Sequence, residues 1–174
     1  MARVGGRPTG FGNSCAGQRE VDFRSTLGRP MRVLIVDDHE VVRKGVRSLL
    51  LRSGHDVCGE GIDGEDGLAK AKELRPDVIV MDVSMPRLNG LEATRRMRGI
   101  LPDIQVVMLS QHESPEMVQQ AVSSGARAYV TKSSMGKNLL AAIEKVRRHE
   151  TFFGSATRGV TGDASPLDAE EETL

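Results

Sequence analysis

Five short runs of apolar, largely β-branched residues alternate along the chain with five longer stretches of helical spacing, and no other feature narrows the fold as much. The short runs are Arg32–Val36, Asp56–Glu60, Val78–Met81, Ile104–Leu109 and Ala126–Val130. Runs of this length between turn residues suit strands, and VLIV, VIVM and IQVVML read as strands buried on both faces. Between them Val42, Val46, Leu49 and Leu50 form a stripe that stops at Gly54, and Leu68, Ala71 and Leu74 form one that stops at Pro76. Leu91, Met97 and Leu101 precede Pro102, Met117, Val118, Ala121 and Val122 precede Gly125, and Leu139, Leu140, Ile143 and Val146 complete the set. Ser114 before Pro115 and Glu116 has the chemistry of an N-cap followed by proline at the first helical position. Strand–helix alternation of this kind predicts a parallel sheet covered on both faces, an α/β doubly wound (βα)5 domain.

Composition sets the limits of that domain. The 174 residues carry 24 Lys+Arg against 24 Asp+Glu, so no net basic field draws in nucleic acid. No apolar stretch approaches the length of a membrane span. Cys15 and Cys58 are too far apart in sequence to suggest a disulfide framework or a metal-ligand cluster. Residues 1–30 hold five arginines and six glycines without sustained apolar periodicity, which predicts a disordered leader, and Met31 directly before the first strand suggests a start codon assigned too far upstream. Residues 151–174, small and polar and finally acidic at Asp168 and Glu170–Glu172, read as a linker or tail. The folded unit is expected to be residues 31–150, in a cytoplasmic protein.

Open parallel sheets bind ligands at the carboxyl ends of their strands. There the first strand runs into Asp37 and Asp38, the third into Asp82, the fourth ends at Ser110, and the fifth delivers Thr131 and Lys132. Clustered carboxylates raise one another's pKa unless a cation intervenes. Mg²⁺, which takes a few carboxylates and keeps several waters, suits such a set. A lysine can follow and neutralise a phosphate oxygen, and a serine hydroxyl can donate to another. The chemistry these groups share is phosphoryl transfer to a carboxylate, with Asp82 the best nucleophile.

The segments VLIVDDHEVVRKG, VIVMDVSMPRLNG, VVMLS and AYVTKS together resemble the receiver domain of bacterial response regulators, over about residues 31–150. The resemblance implies the strand order 2-1-3-4-5, with Asp82 as phosphoacceptor. It implies that Mg²⁺ is held by Asp38, Asp82 and the backbone carbonyl of Ser84, with Asp37 acting through water. Ser110 falls on the switch hydroxyl position, Lys132 on the position of the family's lysine, and Tyr129 on the aromatic switch position. Ser110 is expected to be drawn toward the phosphoryl group while the Tyr129 ring turns from exposed to buried. DDHEVVRKGVRSLL and VCGEG are similar to the NarL/FixJ-type subfamily, whose members carry a C-terminal DNA-binding domain beginning near LTxRE, whereas this sequence runs to Glu172-Thr173-Leu174.

The implied function is a phosphorylation-controlled switch that receives its phosphoryl group from a sensor histidine kinase and controls an output. That output is expected to be transcription through a C-terminal domain, with no direct nucleic-acid binding by these residues. The alternative is a stand-alone receiver acting by protein–protein interaction. Self-phosphorylation and self-dephosphorylation are the only expected chemistry, so the chain is not expected to be an enzyme. A phosphorylation-enhanced homodimer is expected through the fourth helix (Val118–Ser124), the fifth strand and the fifth helix, with no membrane partner. A haloacid dehalogenase-type phosphatase would need an acid two residues after its nucleophile, where this chain has Ser84, and a P-loop protein would need GxxxxGK[ST]. His39 reads as a helix-start residue, since no second histidine stands at ligand spacing. Cys58 reads as a small buried hydrophobe, and Lys145, Arg147 and Arg148 as a solvated helix end.

Overall fold

In the computed structural model, which describes residues 29–112 and 114–153, five parallel strands form one sheet. They are β1 (Arg32–Val36), β2 (Asp56–Gly61), β3 (Val78–Asp82), β4 (Gln105–Ser110) and β5 (Ala128–Thr131), in the order β2-β1-β3-β4-β5. The helices between and after them are α1 (Glu40–Arg52), α2 (Gly64–Leu74), α3 (Gly90–Ile100), α4 (Pro115–Ser124) and α5 (Met135–Arg147), with a 3-10 turn over Lys132–Ser134. The doubly wound fold and the strand order expected from the sequence are both present. Residues 1–28 and 154–174, which include most of the expected leader and tail, lie outside the described residues.

Side chains on a strand alternate between faces, and this alternation divides the core in two. Leu34 and Val36, Ile79 and Met81, and Val106 and Met108 meet Ala71, Ala93, Met97, Val118 and Ala121 from α2, α3 and α4. Val33 and Ile35, Val78 and Val80, and Val107 and Leu109 meet Val46 and Leu50 of α1 and Leu139, Ala142, Ile143 and Val146 of α5. All five residues of β3 are buried, as its central place requires. Each fully buried aliphatic side chain there contributes about 1.5–3 kcal/mol relative to exposure.

Every strand but β1 reaches one residue further toward its carboxyl end than its apolar run suggested. Asp82 pairs with Leu109 and Ser110 with Thr131, so the ladder hydrogen bonds carry polar residues that hydropathy excluded. At the start of β5 the difference is reversed. Ala126 is taken up by closure of α4, its N–H bonding to the Ala121 carbonyl after Gly125 turns the chain at φ 95°, a conformation glycine adopts without strain. Ser114 caps α4 by accepting a hydrogen bond from the Met117 N–H at 3.2 Å, as its sequence predicted. Beyond α5, Phe152 forms a parallel bridge with Ala128: its N–H bonds to the Arg127 carbonyl and its carbonyl accepts from Tyr129. Ordered contacts therefore continue past Glu150 along the outer edge of β5.

Candidate functional site

The chain leaves β1 at Val36 and places Asp37 and Asp38 at the carboxyl edge of the sheet. The Asp37 N–H bonds to the Gly61 carbonyl at 3.1 Å, which continues the β1–β2 pairing by one step. Its Oδ1 accepts from the His39 N–H at 2.8 Å, and its carbonyl accepts from the Arg43 guanidinium at 2.7 Å. Arg43 also pairs with Glu60 of β2 at 3.3 Å, so α1 and β2 together fix this turn. Asp82 closes β3, and the next peptide is held on both sides: Val83 N–H bonds to the Leu109 carbonyl, and Gly90 N–H bonds to the Val83 carbonyl. The start of α3 presses against the backbone of Asp82. A Cβ on Gly90 would stand 2.0 Å from the Asp82 carbonyl oxygen, so only glycine allows this approach.

Lys132 follows β5 and reaches across the edge. Its Nζ lies 2.8 Å from Asp37 Oδ2 and 3.1 Å from Asp82 Oδ2, and the two aspartates are 1% and 2% exposed. Burial raises the Asp82 pKa, and the charge of Asp37 raises it further, against a partial offset from Lys132 and from the Ser84 N–H. For Lys132 burial acts downward, but its contacts with Asp37 and Asp82 prevail and hold its pKa above the ordinary lysine value. The lysine is therefore charged.

One ammonium does not balance the carboxylates of Asp37, Asp38 and Asp82. The buried Oδ2 atoms of Asp37 and Asp82 share the single Lys132 ammonium. Ligand atoms of Asp37, Asp38, His39 and Asp82 all fall within 4.8 Å of one another. An oxygen-rich set with excess negative charge fits a hard divalent cation, the class to which Mg²⁺ belongs.

The remaining residues singled out in the sequence lie on the same edge. Ser84 donates its N–H to Asp82 Oδ1 at 3.3 Å. Ser110 is buried at the end of β4, one residue beyond the partner of Asp82, and its Oγ accepts from the His112 N–H at 3.2 Å. Tyr129 lies inside, 3% exposed among residues of the α2–α3–α4 side, and its hydroxyl donates to the His112 carbonyl at 2.6 Å. Of the two ring positions in the sequence reading, exposed and buried, this is the buried one. Both residues are fastened to the backbone of His112.

Sequence reasoning passed over Arg43, Gly90 and the pairing of Arg87 with the buried Asp63. Asp63 caps α2 by accepting from the Glu65 and Asp66 N–H groups, each at 2.9 Å, and Arg87 ties the β3–α3 loop to it. The Asn89-Gly90 pair was the available signal for a tight turn. The Arg87 contact joins residues far apart in sequence and had none. His39 was read as a helix-start residue, and it is the N-cap of α1, but its ring also stands against Asp37 and Asp38.

Among the described residues, no helix is long and apolar enough to cross a membrane. Residues 33–144 match the family model of the response regulator receiver domain. The chain is 42% identical over 125 residues to the response regulator protein VraR of Staphylococcus saprophyticus, a match covering 71% of this chain and 60% of that protein. It thus spans less than two thirds of the length of that relative. Among solved structures it resembles a two-component response regulator of the LuxR family from Aurantimonas (TM-score 0.69, 34% identity, 71% of this chain and 89% of the other). It also resembles the signal receiver domain of the putative response regulator NarL from Mycobacterium tuberculosis (TM-score 0.66, 31% identity, 69% of this chain and 98% of the other). With the marker residues gathered at one sheet edge and the family model spanning most of the chain, the protein belongs to the response regulator receiver family.

Proposed function

We propose that Asp82 takes a phosphoryl group from a sensor histidine kinase and that the resulting aspartyl phosphate switches the conformation of the domain. The observation that carries this reading is the convergence of Asp37, Asp38, Asp82 and the charged Lys132 on one carboxyl edge. An Asp82 carboxylate oxygen attacks phosphorus, the bond from phosphorus to the donor nitrogen breaks, and the donor imidazole leaves with that electron pair. Lys132 neutralises an oxygen of the transferred group, and the Ser110 hydroxyl donates to another. Asp38, Asp82 and the Ser84 carbonyl would hold Mg²⁺, with Asp37 acting through water. When bound, the ion would balance the carboxylates and the incoming phosphoryl charge. The chemistry ends at phosphoryl uptake and hydrolysis, so the chain is a phosphoacceptor rather than an enzyme acting on other substrates.

His112 explains how the signal would leave the site. Its N–H is held by Ser110 Oγ and its carbonyl holds the Tyr129 hydroxyl. A Ser110 hydroxyl turned toward a phosphoryl oxygen would release the His112 N–H and loosen the peptide that anchors Tyr129. A hydrogen bond to a charged acceptor contributes about 1.5–3 kcal/mol, which bounds the shift. The output is proposed to be control of transcription through sequence that the longer response-regulator relatives contain, in the cytoplasm. Incubation with acetyl phosphate and Mg²⁺ tests the chemistry. One acid-stable, base-labile phosphoryl group is expected, absent from Asp82→Asn and absent when Mg²⁺ is chelated. Undiminished labelling of Asp82→Asn would contradict the assignment.

A further inference from the structure

The strands begin at the end of the sheet opposite Asp82, and a cavity of about 510 Å³ opens there between the starts of β1, β3 and β4 and the ends of α3 and α5. Its size falls in the range of about 300–1,000 Å³ that small-molecule sites occupy. Two of the residues that line it carry a buried polar atom without a hydrogen-bond partner. Gln105, the first residue of β4 and 7% exposed, donates from Nε2 to the Asp103 carbonyl at 2.9 Å, which orients the amide and leaves Oε1 with no donor. Arg147, which closes α5, gives Nη2 to Glu144 at 2.7 Å, and its buried Nε has no acceptor. Buried groups are costly to leave unpaired. An acceptor and a donor in this condition on one cavity call for a ligand that carries both complements.

The other lining residues narrow the chemistry. Arg29, Arg75 and Arg147 stand against Asp77 and Asp103, and Asp77 Oδ2 already accepts the Arg32 N–H at 2.8 Å. A surplus of guanidinium favours a phosphate, whose oxygens accept the forked N–H groups. Ile100, 47% exposed, joins Leu101, Pro102 and Val146 in an apolar wall against which a flat ring can lie. Glutamine amides pair with the amino edge of adenine, and Gln105 Oε1 is placed to accept an exocyclic N–H. We propose that this cavity binds an adenine nucleoside monophosphate, its amino group on Gln105 Oε1 and its phosphate on Arg147 Nε and the neighbouring arginines. The site lies at the other end of the strands from Asp82 and Lys132, and the proposal does not rest on the phosphoacceptor reading.

Calorimetric titration of the full chain with AMP, in the absence of Mg²⁺ and with side-chain signals followed by NMR, tests it. Saturable binding with a Kd below about 1 mM is expected, with adenosine and inorganic phosphate each weaker by about tenfold or more. The Gln105 side-chain amide and the Arg147 Nε–H signals are expected to shift, and those of Lys132 to stay in place. Gln105→Leu keeps the bulk without the acceptor, and Arg147→Met keeps the stem without the donor. Each is expected to weaken AMP binding by about tenfold. Equal binding of inorganic phosphate would show an anion held by arginines alone, and equal binding of adenosine an apolar cavity alone. Either would overturn the proposal. So would the absence of saturation, shifts confined to the Asp82 edge, or undiminished affinity in either folded variant. Should a variant fail to fold, the Gln105 and Arg147 signals of the parent decide: shifts at both support the site, and their absence during AMP binding overturns it.

Discussion

Asp82 is a carboxylate kept in an unfavourable place, buried and beside Asp37, with a pKa raised for both reasons. Stored repulsion of this kind is what a bound cation relieves. Asp82→Asn removes the repulsion and leaves Lys132 to Asp37 alone. Without Mg²⁺ the variant is expected to melt a few degrees above the parent, and to lose most of the stabilisation that Mg²⁺ gives the parent. A lower melting temperature in the absence of Mg²⁺ would show that the Asp82–Lys132 contact outweighs the repulsion. A second buried group sets a pH limit. His55 is buried with its pKa lowered by burial, assisted by Arg147 and opposed by Glu144, and its Nδ1 faces the Met31 N–H at 3.4 Å. Below its ordinary value of 6.5 the unfolded chain binds a proton that the folded chain refuses, so stability falls as pH drops from there through the folded value. The slope is bounded by about 1.4 kcal/mol per pH unit for one proton. Denaturant titrations at pH 7.5 and 5.5, values chosen to bracket about 6.5, are expected to show a smaller loss in His55→Gln than in the parent. Asp37, Asp38, Asp82 and Lys132 were legible in the sequence because each ends an apolar strand or lies within two residues of its end. Arg43 and Arg87 were not, because one depends on which face of α1 meets β2 and the other on the path of a loop with φ 65° at Arg87.

At the scale of elements, the chain leaving β4 beside Asp82 is tied at His112. Ser110, His112 and Tyr129 form its hydrogen-bonded link to β5. The position of β4 and the N-cap of α4 were readable from periodicity and from Ser114. The link itself was not, because it uses the backbone of His112, which no residue pattern marks. Tyr129 is the only tyrosine in the sequence, so its ring resonances report on this link directly. A phosphoryl mimic with Mg²⁺ is expected to shift those resonances in the parent protein. In Ser110→Ala the mimic is expected to bind while the shift is largely lost. An equal shift in both proteins would show that Ser110 does not transmit the change.

For the whole molecule, sheet order and two-sided core gather Asp37, Asp38, Asp82 and Lys132 at one edge, with α4, β5 and α5 on the far side of β4. The edge of β5 is partly covered by Phe152, a contact that the apolar runs did not foreshadow because it comes from one residue beyond the last helix. Phosphorylation is expected to strengthen a homodimer through the α4–β5–α5 face. Light scattering at high protein concentration checks this, and equal masses with and without a phosphoryl mimic would contradict it. The central claim is that phosphoryl chemistry occurs on Asp82. Its most direct test treats the chain with acetyl phosphate and Mg²⁺, reduces the product with borohydride, and locates the modified residue by peptide mass spectrometry. An acyl phosphate on Asp82 would be reduced to homoserine at that position alone. Homoserine at position 82 is the expected result; an unreduced phosphoryl group on Ser84 or Ser110, with Asp82 intact, would contradict the account.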